Sequence, residues 1–463
     1  MSRRHLFGIC ISTALMLTPT AIPAQEPPAK PRRPNIVLLL ADDLGYGDLA
    51  CYDCRDIKTP HIDRLAAQGV RLTQFYANGP ECTPTRAALL AGRYPQRVGG
   101  LECAIGTGNV GRYDDAIRLR KTHDLGLPVE QTALARLLKE AGYRTAICGK
   151  WHLGYEDKFS PNRHGFDHAF YCLGGGMDYF HHVEGPTHSL PVLRLNGKPI
   201  RRRGYFTDLV AEEAVRFLRA NGDRPFFLYV PFTAPHAPFQ GPGDGRPEPL
   251  PADSPLWQQG KAPPEVYAAM VERLDEAVGK ILGELEKGKL GARTLVIFTS
   301  DNGGTASARP TPFSGIKGST FEGGIRVPCV VRWPGVLPEK TVTDQVAITM
   351  DLTASVARAA GAGPPEDRPF DGIDVLGRLE KRQPVPGRTL FWRARRGDRT
   401  WWAVREGSLK YVARQDGGRK AEHLFDLRDD PGEKTNILAR RGEDAARIKR
   451  VLAGWERSVR PGR

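Results

Sequence analysis

Asn35-Ile36-Val37-Leu38-Leu39-Leu40-Ala41-Asp42-Asp43 is the stretch that decides the fold. Ile36 to Ala41 is continuously apolar, the pattern of a strand covered on both faces, as in a parallel sheet. It stops in two adjacent carboxylates, which are costly at such a place unless a cation or water meets them. Three later runs repeat the arrangement. Tyr143-Arg144-Thr145-Ala146-Ile147-Cys148 leads into Gly149-Lys150-Trp151-His152. Pro225 to Val230 leads into Thr233-Ala234-Pro235-His236, and Thr294 to Thr299 into Ser300-Asp301-Asn302-Gly303. Helical segments alternate with them over residues 59–69, 132–141, 208–220 and 264–287. Alternating strands and helices predict an α/β domain with a mostly parallel central sheet flanked by helices. Ligands of open α/β sheets bind beyond the carboxyl ends of the strands. The four strand ends therefore nominate Asp42, Asp43, Lys150, His152, His236, Asp301 and Asn302 as one site. Carboxylates with an amide carbonyl form a hard-oxygen set suited to Ca²⁺ or Mg²⁺ rather than zinc. Lysine, arginine and histidine beside them would bind an anion.

Working outward, Val70 to Tyr76 alternates as a strand leading to Cys82-Thr83-Pro84-Thr85-Arg86. Pro84 suits a first helical turn and Gly92 a helix end. Cys82 would then stand at a helix N-terminus, where the field favours anions. Residues 99–127 read as a Gly-rich loop or insertion, and 155–205 as irregular, with Gly174 to His182 at the centre. Gly315-Ile316-Lys317-Gly318 lies in a further loop. His61 reads as a helix-entry residue. After about residue 375, short strands around Leu390, Trp401, Leu409 and Glu422 and a polar helix from about Glu443 predict a small antiparallel-sheet domain. Trp401 and Trp402 read as core packing. The expected division is 1–24 signal peptide, 25–375 catalytic domain and 376–463 C-terminal domain.

Composition bounds the rest. Forty percent apolar content over 463 residues excludes a disordered chain. The net charge of +14 is spread rather than clustered, so it reads as a solvated basic surface without a nucleic-acid partner. Residues 1–24 have the charged start, short apolar stretch and small-residue end of a signal peptide, which predicts a periplasmic or secreted protein without a membrane span. Eight cysteines are present. Cys10 lies in the signal segment, Cys148 and Cys329 lie in strand-like runs, and a disulfide involving Cys51, Cys54 or Cys103 is expected for an exported chain.

The chain resembles the sulfatase family across essentially its whole mature length. The resemblance is carried by Cys82-Thr83-Pro84-Thr85-Arg86 with Leu90-Ala91-Gly92-Arg93, by the strand ends above, by Gly315-Ile316-Lys317-Gly318 and by Leu424-Phe425-Asp426-Leu427 with Asp430-Pro431-Gly432-Glu433. Many members have Ser where this chain has Thr85. The resemblance implies an alkaline-phosphatase-like fold and hydrolysis of a sulfate ester. It implies oxidation of Cys82 to formylglycine by a separate maturation enzyme. It further implies a Ca²⁺, with Mg²⁺ as the other candidate, held by Asp42, Asp43, Asp301, Asn302 and residue 82. The hydrated aldehyde would offer one hydroxyl to attack sulfur and a second whose deprotonation expels sulfate. Asp301 would be the base on the nucleophile. Arg86 and Lys150 would orient the diol, His152 would assist regeneration, and Lys150, His236 and Lys317 would bind sulfate, the last two protonating the leaving oxygen. Asp178 and His181 are expected substrate contacts. Stretches at 174–180 and 196–208 look like arylsulfatase and N-acetylgalactosamine-sulfatase relatives, which implies a sulfated carbohydrate or aryl sulfate substrate. Two alternatives stand beside this one: a phosphate or phosphonate ester hydrolase on the same fold, and a protein that binds sulfated glycans without cleaving them.

Overall fold

The Asn35–Ala41 run forms the predicted strand, and every residue of it is buried. The computed structural model describes Met1 and residues 33–131, 134–185, 192–257 and 261–460. The signal-peptide segment lies outside the described residues. Asn35–Ala41 pairs in parallel with Phe226–Pro231 on one side and Thr294–Ser300 on the other. Arg144–Lys150 pairs in parallel with Phe226–Pro231, and His168–Cys172 with Arg144–Lys150. These five parallel strands form the middle of a ten-stranded sheet. Cys329–Arg332 runs antiparallel beside Thr294–Ser300, and Leu193–Leu195 antiparallel beside His168–Cys172. The register sets Ala41 opposite Ser300 and Leu40 opposite Pro231. The polar residues that follow each strand therefore emerge at the same edge.

Three expectations are corrected. Val70 to Tyr76 is not one strand: Val70–Leu72 joins the large sheet, while Phe75–Tyr76 pairs with Ala347–Ile348 in a separate one. The 99–127 segment contains a helix, Asp114–Lys121, with Asp114 and Asp115 in its first turn and Arg118, Arg120 and Lys121 in its last. That order complements the helix dipole and was present in the sequence. The irregular segment 155–205 contains His168–Cys172, a strand of the central sheet. A further helix, Thr349–Ala359, is buried from Thr349 to Ala357, its polar Thr349, Asp351, Thr353 and Ser355 included.

All seven described cysteines are free, against the expected disulfide. The Cys54 thiol donates to Asp56 Oδ1 at 3.3 Å, and Cys103, Cys148, Cys172 and Cys329 are buried singly.

Toward the C-terminus, four eight-residue strands, Thr389–Arg396, Arg399–Glu406, Leu409–Asp416 and Arg419–Asp426, form an antiparallel meander. Its core includes Tyr76, Tyr94, Ile325, Ile348 and Met350 from earlier in the chain. The Trp392 indole N–H donates to the Ala77 carbonyl at 2.7 Å. Lys410, fully buried, contacts Glu322 at 2.7 Å and Glu433 at 3.0 Å. Glu322 also accepts from the Tyr76 hydroxyl at 2.7 Å. Arg33–Arg463 cluster as one compact unit.

Removing one partner of a buried ion group leaves uncompensated charge. Lys410→Met should therefore destabilise the protein by about 3–5 kcal/mol, read by urea unfolding. A loss under about 1 kcal/mol would show that the two carboxylates simply protonate.

Candidate active site

The Cys82–Ala91 helix is buried along its whole length. Glu81 enters it in extended conformation, and Gly92 leaves it at φ 68°, its N–H reaching the Ala88 carbonyl. Only a residue at ease in left-handed backbone ends a helix this way cheaply. Two threonines tie the first turn down. Thr83 Oγ1 donates to the His152 carbonyl at 3.1 Å and accepts from Ile105 N at 3.2 Å. Thr85 Oγ1 accepts from Gly79 N at 3.0 Å and donates to the Gly79 carbonyl at 3.2 Å. The hydroxyl at position 85 is thus used, whichever of Ser or Thr carries it.

One turn on, the buried Arg86 guanidinium donates from Nε and Nη2 to Asp301 Oδ2 at 2.9 and 2.7 Å. Its Nη1 donates to the Lys150 carbonyl at 3.2 Å, and Asp42 lies 3.6 Å from Nη2. Lys150 Nζ donates to Asp42 Oδ2. Lys150 is aimed there by the preceding glycine: Gly149 has φ 136°, and a Cβ on it would lie 1.9 Å from the Pro231 carbonyl oxygen. Asp43, itself at φ 66°, accepts from Asn302 Nδ2 at 2.7 Å and from Lys317 Nζ at 2.8 Å, with His236 Nε2 at 3.6 Å. Asp42, Asp43 and Asp301 bring carboxylate oxygens within 4.8 Å of one another, and Asp42, Cys82 and His236 do the same with their ligand atoms.

The electrostatics follow from burial and neighbours. Burial pushes the Asp42 carboxyl up, but Lys150, His236 and Arg86 together outweigh it and hold it well below the usual range. Asp301 is pushed up to about 7 by burial and the Asp42 charge. Burial works against the charge of Lys150, yet Asp42 and the Cys82 sulfur keep its pKa raised. Burial and the Lys150 charge hold His152 well below its ordinary value, so its ring is neutral. His152 Nε2 lies 2.7 Å from the Ile105 carbonyl, which can only accept. The ring proton is therefore on Nε2, and Nδ1 is a buried lone pair with no partner. Two oxygens share that condition: Asp42 Oδ1 and Asn302 Oδ1. Orphaned buried oxygens beside three carboxylates are the donors a hard cation would satisfy.

Above Cys82 opens a cavity of about 270 Å³, walled by His152, His236, Lys317, Glu81 and Arg112 among others. The strand-end residues, Cys82, Arg86 and Lys317 thus converge. Asp178 and His181 do not. Asp178 is buried outside this cavity, its carboxylate accepting from the backbone N–H groups of Phe180, His181 and Leu250, each at 2.8 Å. It holds the 174–185 loop in shape. His181 Nε2 donates to the Arg246 carbonyl at 3.0 Å and lines a separate cavity with Arg201, Arg202 and Arg203. His61 is the second residue of the Pro60–Ala67 helix, its N–H donating to Asp275 at 3.1 Å. Sequence reasoning missed Glu81, Arg112, Glu184 and Arg396, which sit in loops or at a strand end, where no periodicity marks them.

Cations and carboxylates converging beyond a parallel sheet, with a nucleophile at a helix N-terminus, define an oxyanion-ester hydrolase site. Comparison with known proteins sharpens the class. The family model described as Sulfatase matches residues 34–362. N-acetylgalactosamine-6-sulfatase of Sus scrofa is 34% identical, the match covering 93% of this chain and 87% of that one. Steryl-sulfatase of Mus musculus is 34% identical over 81% of this chain and 69% of its own. The solved structure of Ps i-CgsB in complex with k-i-k-neocarrahexaose superposes with a TM-score of 0.79 at 31% identity, covering 92% of this chain and 93% of that one. The chain belongs to the sulfatase family and is a sulfuric ester hydrolase. No helix among the described residues is long and apolar enough to cross a membrane.

Glu184 packs beneath Gly174 and Gly175, accepts from the Tyr155 hydroxyl, and is pushed up to about 7 by burial. The unfolded chain releases this proton near 4.5. Between those two values the folded state holds a proton that the unfolded state has lost, so stability falls as pH rises through the window. Glu184→Gln should remove up to about 3 kcal/mol of that fall, measured by urea unfolding at pH 5 and 8. Equal pH dependence in both proteins would contradict it.

Proposed function

We propose that this enzyme removes sulfate from a sulfated carbohydrate, using formylglycine made from Cys82 and a Ca²⁺ held by Asp42, Asp43, Asp301 and Asn302. The observation that carries the metal assignment is the pair of unpartnered buried oxygens, Asp42 Oδ1 and Asn302 Oδ1. Mg²⁺ has the same oxygen preference but demands tighter octahedral geometry. A bound divalent cation would supply charge to draw in and polarise the sulfate. Lys317 and His236, at the cavity wall, grip the sulfate oxygens and deliver a proton to the departing alcohol. Arg86 and Lys150 would orient the hydroxyls of a hydrated aldehyde at position 82, and Asp301 would accept the proton of one of them. Neutral His152, its Nδ1 unpartnered, would accept the proton of the other. General acid help of this kind contributes about 10²–10⁴-fold.

The carbohydrate assignment draws support from the sulfatase relatives that act on N-acetylgalactosamine sulfate by name, from the neocarrahexaose-bound neighbour and from the basic character of the chain. The maturation enzyme would have to read Cys82, Pro84 and Arg86 before folding, because all three side chains are buried in the finished fold.

Cys82→Ala should keep the thermal transition of the parent and lose turnover of 4-nitrophenyl sulfate by more than about 10⁴-fold. Mass analysis of the peptide spanning position 82 in active enzyme should show an aldehyde in place of the thiol; an intact Cys82 in fully active protein refutes the proposal. Calcium added to chelator-treated protein should raise its melting temperature by several degrees, and Asp42→Asn should abolish that gain. A shift unchanged by Asp42→Asn would place the cation elsewhere.

A further inference from the structure

The cavity above Cys82 continues into a second one of about 220 Å³, the two sharing Glu81, Lys317, Gly318 and Arg396. Two chain segments that meet there carry arginines with little to hold. Arg112 sits on the loop that follows the Gly106–Val110 turn, whose backbone bonds are 2.8 and 3.0 Å. Arg396 ends the Thr389–Arg396 strand of the C-terminal sheet. The two segments are tied together. Gly397 N donates to the Arg112 carbonyl, and Arg395 donates to Asp114 at 2.6 Å while lying 4.8 Å from the Tyr113 ring centroid. The pairing of Arg112 with Arg396 is therefore built by the fold.

The charge balance is lopsided. Among the described residues Arg112 makes no ion pair, and its buried Nε has no hydrogen-bond partner. Arg396 reaches Glu81 only at 3.6 Å, beyond hydrogen-bond range. Glu81 Oε2 is already engaged by Ala104 N at 2.7 Å. Directly across the strand from Arg396 stands Arg399, another cation, which lines the second cavity and is paired with Asp416 at 3.0 Å. Like charges set opposite in a sheet destabilise it. Lys317, paired with Asp43 at 2.8 Å, is assigned to the sulfate that is removed. Planar guanidinium forks match oxyanions in two-point geometry, and two forks facing one space are preorganised for such a group.

We propose that Arg112 and Arg396 form a second oxyanion subsite beside position 82. The preferred substrate would then carry another anionic substituent, sulfate or carboxylate, close to the sulfate that is removed. This rests on the sulfated-carbohydrate reading above. The C-terminal sheet thereby selects substrate as well as packing on the main sheet.

Binding by titration calorimetry tests it in the full-length chain carrying Cys82→Ala, in calcium buffer, so that no probe is consumed. The probes are N-acetylgalactosamine 6-sulfate, N-acetylgalactosamine 4,6-disulfate, and the 6-sulfate joined to a uronic acid. At least one dianionic probe should bind about ten-fold or more tightly than the monosulfate, and which one does so separates sulfate from carboxylate. Adding Arg112→Gln and Arg396→Gln together should bring that ratio within about two-fold. Should the double variant fail to melt as the parent does, Arg396→Gln alone, at a half-exposed position, should still reduce the ratio by at least about three-fold. Absence of the gain in every probe, or its survival in the variants, overturns the subsite. Separate failure of Cys82-bearing enzyme to hydrolyse 4-nitrophenyl sulfate would count against the proposed function, and the binding ratios would still be readable.

Discussion

Everything near the nucleophile depends on balancing charge where water is excluded. Asp42, Asp43, Asp301, Arg86 and Lys150 are each at most 1% exposed. Isolated, any of these charges would be expelled or neutralised; interlocked, they are tolerable only in one geometry. Arg86 spans Asp301, Asp42 and the Lys150 carbonyl, while Lys150 and Lys317 each meet one of the paired aspartates. The parallel register delivers these groups to one edge. The helix beginning at Cys82 then places its N-terminus against them. What the network leaves unmet is oxygen atoms on Asp42 and Asn302 and a nitrogen on His152.

The C-terminal sheet extends the same logic outward. Its buried Lys410 grips Glu322, which lies a few residues beyond Lys317, and Glu433 also accepts from the Glu322 backbone N–H at 2.6 Å. The loop carrying Lys317 is thus anchored from the C-terminal sheet. The turn between that sheet's first two strands reaches over the cavity mouth with Arg396. The C-terminal sheet thus contributes both support and a wall.

Much of this was legible in residues. Ile36 to Ala41 announced a doubly covered strand, and the four polar strand ends converge as their pattern required. Cys82, Pro84 and Gly92 marked a helix start and stop. The rest was hidden for identifiable reasons. His168–Cys172 is too short and too closely bounded by irregular chain to stand out, and the Thr349–Ala359 helix buries Thr349, Asp351, Thr353 and Ser355 along with its apolar residues. Asp178 could be read as a substrate contact or as a loop-shaping residue, because a lone acid in a Gly-rich loop has the same appearance whether it faces solvent or ties up backbone N–H groups, as it does here. Arg112 and Arg396 are 284 residues apart in sequence, and only the packing of the C-terminal sheet on the loop carrying Arg112 brings them to one cavity. The expected disulfide rested on compartment alone, and the thiols are instead dispersed through strands and turns.

The central claim is that this buried constellation is tuned for sulfate with a single hard cation, Asn302 standing beside Asp301 with an amide oxygen free to ligate it. The most direct measurement compares kcat/KM for 4-nitrophenyl sulfate and 4-nitrophenyl phosphate on the same matured enzyme in calcium buffer. The account predicts faster turnover of the sulfate ester, by at least about 10²-fold. Faster turnover of the phosphate ester would contradict it.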